Sequence, residues 1–420
     1  MILTFGTRGD VEPFVALARR LMNRGHEAAV AAPRRFRSLV EAEGVVFGEL
    51  DDGPLERMDV AAAVGDVATG GMAAKIALAR RLPQMFEQVL ADAWRVASEG
   101  VGAGADVVVH NGQVLAGPHI AEKLDIPSVL GLPLPMYVPT RAFPWPAMEV
   151  PTLPKALNRA TYLGMKGTVL TFGKTIDRWR AESLRLPRRK RRHDPLVDHH
   201  GRPVPVLHAV SPQVVPRPDD WPITSVMTGY WQLPGRADVA LPEKLDEFLG
   251  AGEPPVYIGF GSMAGADPRA LTRQVIDAVE RTGIRAVLAR GWGGLDIDRG
   301  DDRIFVVDAV PHDLLFPRVS AVVHHGGAGT TAAAVRAGRP QVVCPFVADQ
   351  PFWATRMHSL GVAASPLSQR RLTGDRLAER LDSVLTDPAA MRTAHELAGK
   401  VQTDDGIFQA VIHLERAVSQ

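Results

Sequence analysis

The chain has 420 residues, a formal net charge of +1, 46% hydrophobic and 23% charged side chains. That length exceeds what one hydrophobic core usually supports and predicts two domains; the ordinary composition excludes long disorder, and the near-zero charge supplies no field that would select nucleic acid, membranes or acidic substrates. A single cysteine, Cys344, excludes an intramolecular disulfide and a multi-thiolate metal site, and fits a reducing cytoplasm.

In chain order, Ile2-Leu3-Thr4-Phe5 is a short buried strand, Gly6 to Asp10 a glycine turn, and Val11 to Asn23 a helix with Pro13 in its first turn. This start lacks the basic and apolar regions of a secretion signal, and no run approaches the roughly 20 apolar residues of a spanning helix, so a cytoplasmic location is expected. Further strands are predicted at Ala28 to Ala32, Asp106 to Val109 and Ser128 to Leu130. Short apolar strands alternating with helices imply a parallel sheet covered on both faces. Leu132 to Pro154, rich in proline and aromatics, either lines a pocket or packs over the sheet. The basic run Arg185 to His193 reads first as a solvated loop, with contact to an anionic membrane surface as its rival. Pro212 to Pro234 is punctuated by prolines, which cannot donate ladder hydrogen bonds, and reads as an interdomain connection.

The strand-turn-helix pattern then restarts at Pro255 to Ser262, with a helix over Arg269 to Arg281 and strands at Ala286 to Leu288, Ile304 to Val307, Ala321 to Val323 and Gln341 to Val343. Two doubly wound α/β halves are therefore expected, an amino-terminal domain over 1–211, a connection over 212–240 and a carboxy-terminal domain over 241–404.

The segment richest in chemistry is SAVVHHGGAGTTAAAVRAGRPQVVCPFVADQ, Ser320 to Gln350. A strand ending at His324-His325 runs through Gly326, Gly327 and Gly329 into a helix that begins near Ala328 to Thr330. This exposes unpaired N–H groups with no bulky side chains above them, which suits a diphosphate, and Thr330 and Thr331 add hydroxyls. Asp349 and Gln350 lie in the loop after the next strand, where open α/β sheets gather ligands, and a carboxylate beside an amide can hydrogen-bond vicinal sugar hydroxyls. Asp296-Ile297-Asp298 spells a metal-binding pattern but sits among turn residues, and the pairs His199-His200 and His324-His325 lack convergent carboxylates; no metal is expected.

These segments, with GTRGDVEP, HNGQVLAGPHIAEKLDIPS, LPMYVPTRAFPWP, SPQVVPRPDDWP, TGYW and GFGSM, resemble family 1 glycosyltransferases, the UDP-glycosyltransferase superfamily of two-Rossmann GT-B fold. Within that family they are most similar to bacterial and fungal sterol glucosyltransferases and antibiotic glycosyltransferases. The resemblance implies an inverting hexosyltransferase with UDP- or dTDP-sugar as co-substrate, no cofactor, and a hydroxylated apolar acceptor such as a sterol, polyketide or macrocycle. It places His325, Gly327, Ala328, Gly329, Thr330 and Ser262 at the donor diphosphate, and Asp349 and Gln350 at the sugar. Val310, Pro311 and His312 fall at the base, although His312 reads equally as a helix cap; Trp292, Arg8 and Gly9 complete the donor set. Asp10 falls at the catalytic base, and its alternative reading is again a helix cap, a role compatible with the first.

Asn111, Met136, Tyr137, Phe143 and Trp145 are expected beside the acceptor. Two departures from plant members are visible: Ala333 replaces an acidic ribose contact, and Asn111 lies where the carboxylate partner of the base would be. A final helix is predicted over Gly406 to Val418, and the resemblance implies that this last segment, 405–420, crosses back onto the first domain. A nucleotide-sugar epimerase of the same architecture and a non-catalytic binder of nucleotide sugars or lipids are the alternatives.

Overall fold

The computed structural model describes residues 1–57, 82–148, 153–189, 193–235, 239–261, 267–291, 295 and 300–419. Two sheets organise the chain. The first takes β1 (Ile2–Leu3), β2 (Ala29–Pro33), β3 (Val46–Leu50), β4 (Val108–Asn111), β5 (Ser128–Leu132), β6 (Val206–His208) and β7 (Ser225–Met227) in the order β3-β2-β1-β4-β5-β6-β7. The second takes β8 (Val256–Gly259), β9 (Ala286–Ala289), β10 (Ile304–Val307), β11 (Val322–His324) and β12 (Gln341–Val343) in the order β10-β9-β8-β11-β12. Every pairing within them is parallel. Both orders reverse once, between β1 and β4 and between β8 and β11, and a doubly wound sheet opens a crevice beyond the carboxyl ends of its strands at such a reversal.

The buried sides of these elements explain the alternation in the sequence. α1 (Arg8–Asn23) turns Val11, Phe14, Val15, Leu17 and Ala18 inward, at the 3–4 residue spacing of one helical face. Strands flanked by helices on both faces bury all their side chains, so β2 reads as the unbroken apolar run AVAAP.

One expectation is corrected. The interval 212–240 does not wholly lie between the domains, because Ser225–Met227 within it is the edge strand of the first sheet and pairs with β6. Trp221 and Trp231 are also buried there. The prolines bracket this strand rather than interrupt it, and three residues are too few to show a period against a proline-rich background. The helix at the amino terminus also begins earlier than expected, at Arg8, so Pro13 stands in its second turn.

The last helix, Gly406–Val418, returns to the first half: Ala410, Val411 and Leu414 share a core cluster with Val11, Phe14, Val30 and Trp231. Where the chain recrosses, Ser211 Oγ donates to Asp404 Oδ2 at 2.5 Å, and a Cβ added to Gly406 would lie 2.3 Å from the carbonyl carbon of Gly229. Backbone touches backbone at that crossing, which only glycine permits. Leu414→Ala deletes a buried side chain from this seam and is expected to cost about 2–5 kcal/mol, read from thermal or denaturant unfolding.

Candidate active site

The loops after β1 and β4 meet at the first reversal point. Gly6 has φ +129°, a conformation open to glycine, and a Cβ there would fall 2.4 Å from Asp10 Oδ2. Thr7 caps α1 and Asp10 is its third helical residue, so the structure corrects the reading of Asp10 as the cap. The carboxylate instead reaches back: Thr7 N–H and Thr7 Oγ1 donate to Asp10 Oδ2 at 2.8 and 2.9 Å. From β4's loop, Gln113 Nε2 donates to Asp10 Oδ1 at 3.0 Å.

Burial pushes the Asp10 carboxyl up to about 6, the bonds from Thr7 and Gln113 oppose the rise, and the charge of Asp349 adds to it. Desolvation prevails, which leaves a carboxylate that is more basic than usual yet still ionised at neutral pH. Because the Gln113 bond favours the ionised form, Gln113→Ala is expected to move the acid limb of a kcat/KM pH profile upward by about one pH unit, the equivalent of a hydrogen bond to a charged group.

Gln113 was not among the residues singled out from sequence. Asn111 was, as an acceptor contact, and here the structure offers a correction. Asn111 is buried; its amide donates to Phe5 O at 2.7 Å and Thr4 Oγ1 at 3.2 Å, and its carbonyl accepts from the N–H groups of Gln113 and Val114 at 3.1 Å. It stitches the end of β1 to the loop that presents Gln113, and has no capacity left for a ligand. A polar side chain two residues beyond a strand at a sheet's reversal point was the signal that could have found Gln113.

Tyr137 lies over Gly112, donating its hydroxyl to Gly112 O at 2.5 Å; burial and the nearby Asp10 charge hold its phenol well above the usual range. Met136 is half-buried in the same loop. Phe143 stands 5.3 Å from Phe352, between ring centroids, and so joins the first half's loop to the helix Gln350–Ser359 of the second. Trp145 packs its ring on Gly164, a helix surface rather than the turn that carries Asp10.

At the second reversal point β11 delivers His324 and His325. His324 is wholly structural: Nε2 bonds Gln341 Oε1 at 2.9 Å and Nδ1 accepts from Gly326 N–H at 3.1 Å, and burial drives its pKa down to about 3. His325 lies between two glycines, since Cβ atoms added to Gly261 and Gly327 would come within 2.9 and 2.5 Å of its ring. Burial lowers it to about 4, so it is neutral, and its buried Nδ1 has no hydrogen-bond partner within the protein. A polar atom so placed is suited to a ligand.

The helix Ala328–Arg336 starts immediately beyond, with Gly327 at its cap and half-buried Ala328 and Thr330 in its first turn. Thr331 departs from expectation: it is buried and returns its hydroxyl to Gly327 O at 2.9 Å.

In the loop after β12, Ala348 holds φ +58°, a strained value for a residue with a side chain. Gln350 stabilises that loop, its buried carbonyl oxygen accepting from Phe346 N–H at 2.7 Å and Val347 N–H at 3.2 Å. Asp349 caps the following helix and accepts from Trp353 Nε1 at 2.8 Å; burial raises its carboxyl. His312 opens a short helix capped by Pro311, which corrects its reading as the cap, and stacks on Phe316 at 4.3 Å with half-buried Val310 just before it. Burial, followed by the charge of Arg8, lowers His312 to about 4. Ser262 and Trp292, and the Asp296 to Asp298 pattern, lie outside the described residues.

The two loops face each other. A Cβ on Gly329 would lie 4.0 Å from Gly9 Cα, Asp10 feels the charge of Asp349, and His312 that of Arg8. One crevice thus holds a basic carboxylate on one wall and, on the other, a helix amino terminus, a neutral histidine and a second carboxylate. Among the described residues no three His, Cys, Asp or Glu side chains converge as a metal site, and no helix is long and apolar enough to cross a membrane.

Known proteins share this fold. Residues 1–143 match the glycosyltransferase family 28 N-terminal domain, and residues 294–409 the erythromycin biosynthesis protein CIII-like C-terminal domain. A sterol 3-beta-glucosyltransferase of Arabidopsis thaliana is 33% identical over 98% of this chain and 64% of its own length; one of Emericella nidulans is 32% identical over 97% and 29%. The chain therefore spans less than two thirds of these relatives. The solved structure of the glycotransferase of kitacinnamycin superposes with a TM-score of 0.71 at 18% identity, covering 99% of this chain and 98% of that one.

Two facing parallel sheets with this crevice make the GT-B fold. Within that fold the chain resembles family 1, the UDP-glycosyltransferase superfamily.

Proposed function

We propose that this protein transfers a hexose, with inversion, from a nucleoside diphosphate to a hydroxyl of an apolar acceptor, glucose from UDP-glucose being the preferred donor. The observation that carries the reading is Asp10, raised to about 6 and placed opposite Asp349 and the glycine cradle at Gly329. The acceptor oxygen attacks the anomeric carbon from the face opposite the phosphate, its proton passes to the Asp10 carboxylate, and the bond from carbon to phosphate oxygen breaks with its electron pair. Charge gathers on the departing diphosphate, where the N–H groups of Ala328 to Thr330 and the His325 imidazole are aimed. Asp349 accepts hydrogen bonds from sugar hydroxyls, while Gln350 keeps its loop in shape. Ala333 offers no carboxylate to the ribose, so UDP and dTDP donors are both accommodated. Tyr137 and Phe143 provide apolar surface between Asp10 and the second half, a fit to the sterol substrates named for the relatives.

Incubation with UDP-glucose or dTDP-glucose and a panel of sterols and macrocyclic alcohols, followed by mass spectrometry, should yield a glycoside. Sugar epimers without any glycoside would overturn the reading in favour of an epimerase, and donor binding without any product would leave a binder. Since hydrogen bonds and a helix dipole offset the leaving charge, turnover should be unchanged in EDTA; a loss that Mn²⁺ restores would contradict this.

A further inference from the structure

Lys155–Thr161, Leu163–Thr171 and Gly173–Trp179 are consecutive helices on the outside of the first half. Asn158, Tyr162, Met165, Val169, Phe172 and Ile176 are buried, at alternating steps of four and three, and form their inner stripe. The outer face is unlike an ordinary solvated one. Leu157, Leu163 and Leu170 are 52%, 66% and 46% exposed, and they are among only ten large hydrophobic side chains exposed in the described residues. Arg159, Leu163, Lys166, Leu170 and Lys174 follow one another at steps of four, three, four and four, so cations and leucines share one face. From 153 to 176 there is no aspartate or glutamate.

The carboxylates around this face are engaged or at its margin. Asp220 feels Arg159 while accepting from Thr140 and Arg141, and Asp177 pairs with Arg188 and His193. Lys166 and Lys174 have no ion pair among the described residues. Exposed leucines interleaved with lysines and arginines complement a surface that is anionic at its headgroups and apolar just beneath, and do not complement an acidic partner that lacks an apolar layer.

We infer that the helices Lys155–Thr161 and Leu163–Thr171 dock this protein on an anionic lipid bilayer. The inner side of the same helices supports the acceptor-side loop: Trp145 rests on Gly164, Trp145 N–H donates to Thr161 Oγ1 at 2.7 Å, and Asn158 Nδ2 donates to Arg141 O at 2.9 Å. Resting on the proposed function, the docking presents a membrane-dissolved acceptor to the half of the protein that carries Asp10.

The test is flotation with vesicles of phosphatidylcholine, with and without phosphatidylglycerol, at low and high salt. The protein should float with the anionic vesicles at low salt, and Lys166→Glu with Lys174→Glu should weaken this by about tenfold or more. Leu163→Ser with Leu170→Ser should weaken it by about tenfold also, with an unchanged circular dichroism melt. Absence of flotation, or flotation insensitive to both pairs, overturns the inference. So does a dimer in light scattering that the serine pair dissolves, because a second copy would then own the face. Glycoside yield from a detergent-dispersed sterol, measured in parallel, separates the two readings: no glycoside defeats the transferase and leaves the flotation result standing, whereas wild-type yield from the serine pair without flotation shows that docking alone has been lost.

Discussion

Asp10→Asn is expected to lower kcat by about 10²–10⁴-fold, the usual contribution of a positioned base, while UDP still binds in calorimetry. The amide retains the carboxylate's shape and can still accept the Thr7 bonds, so the loss reports the missing proton acceptor; undiminished turnover would remove Asp10 from the reaction. In the wild type, kcat/KM should rise with pH up to about 6 and level off above it, because only the ionised form accepts a proton.

Stability should respond in the opposite sense. The folded-state value, about 6, lies above the 3.8 of an unburied aspartate. The folded protein therefore binds the extra proton in that window, and stability falls as pH rises from about 4 through about 6. The rise corresponds to about 3 kcal/mol at neutral pH. Asp10→Asn does not titrate, so its melting temperature relative to the wild type should be higher at pH 8 than at pH 4.5.

His325→Ala is expected to lower kcat/KM by about 10²–10³-fold, the cost of removing one preorganised donor from a developing anion. Held to about 4 by burial, the ring is neutral above pH 5, and its contribution is a single directed N–H bond without an imidazolium charge. His325→Gln should recover part of the rate, and no titration of this ring should enter the profile between pH 6 and 8. A profile in which activity fell with loss of a positive charge near pH 6.5 would contradict the neutral assignment.

Much of this architecture is legible in the residues. Ile304–Val307, Gln341–Val343 and Gly406–Val418 appear with the bounds that sequence pattern suggests, because each is an apolar run or amphipathic stretch between clear breakers. β3, β6 and β7 escaped notice for the converse reason: they are short or lie at the sheet's edge, and β3 carries the half-buried Glu49 where an inner strand would be apolar. At the site, glycine spacing located the anion cradle, but residue type alone could not say which polar atoms are already spent. Asn111, Thr331 and Gln350 look like ligand contacts in one dimension and are bonded to their own backbone in three. Gln113 shows the reverse, since its value lies in a contact with Asp10 across 103 positions that no local pattern encodes.

The return of Gly406–Val418 to the first sheet bears on how new specificities can be engineered. A hybrid made by a single splice after β7 would graft a foreign closing segment onto the native amino-terminal core, mismatching the residues at Ala410, Val411 and Leu414 against Phe14 and Val15. Exchange of donor preference between relatives therefore calls for two junctions, one on each side of the Gly229 and Gly406 contact, with the terminal helix inherited from the acceptor-side parent.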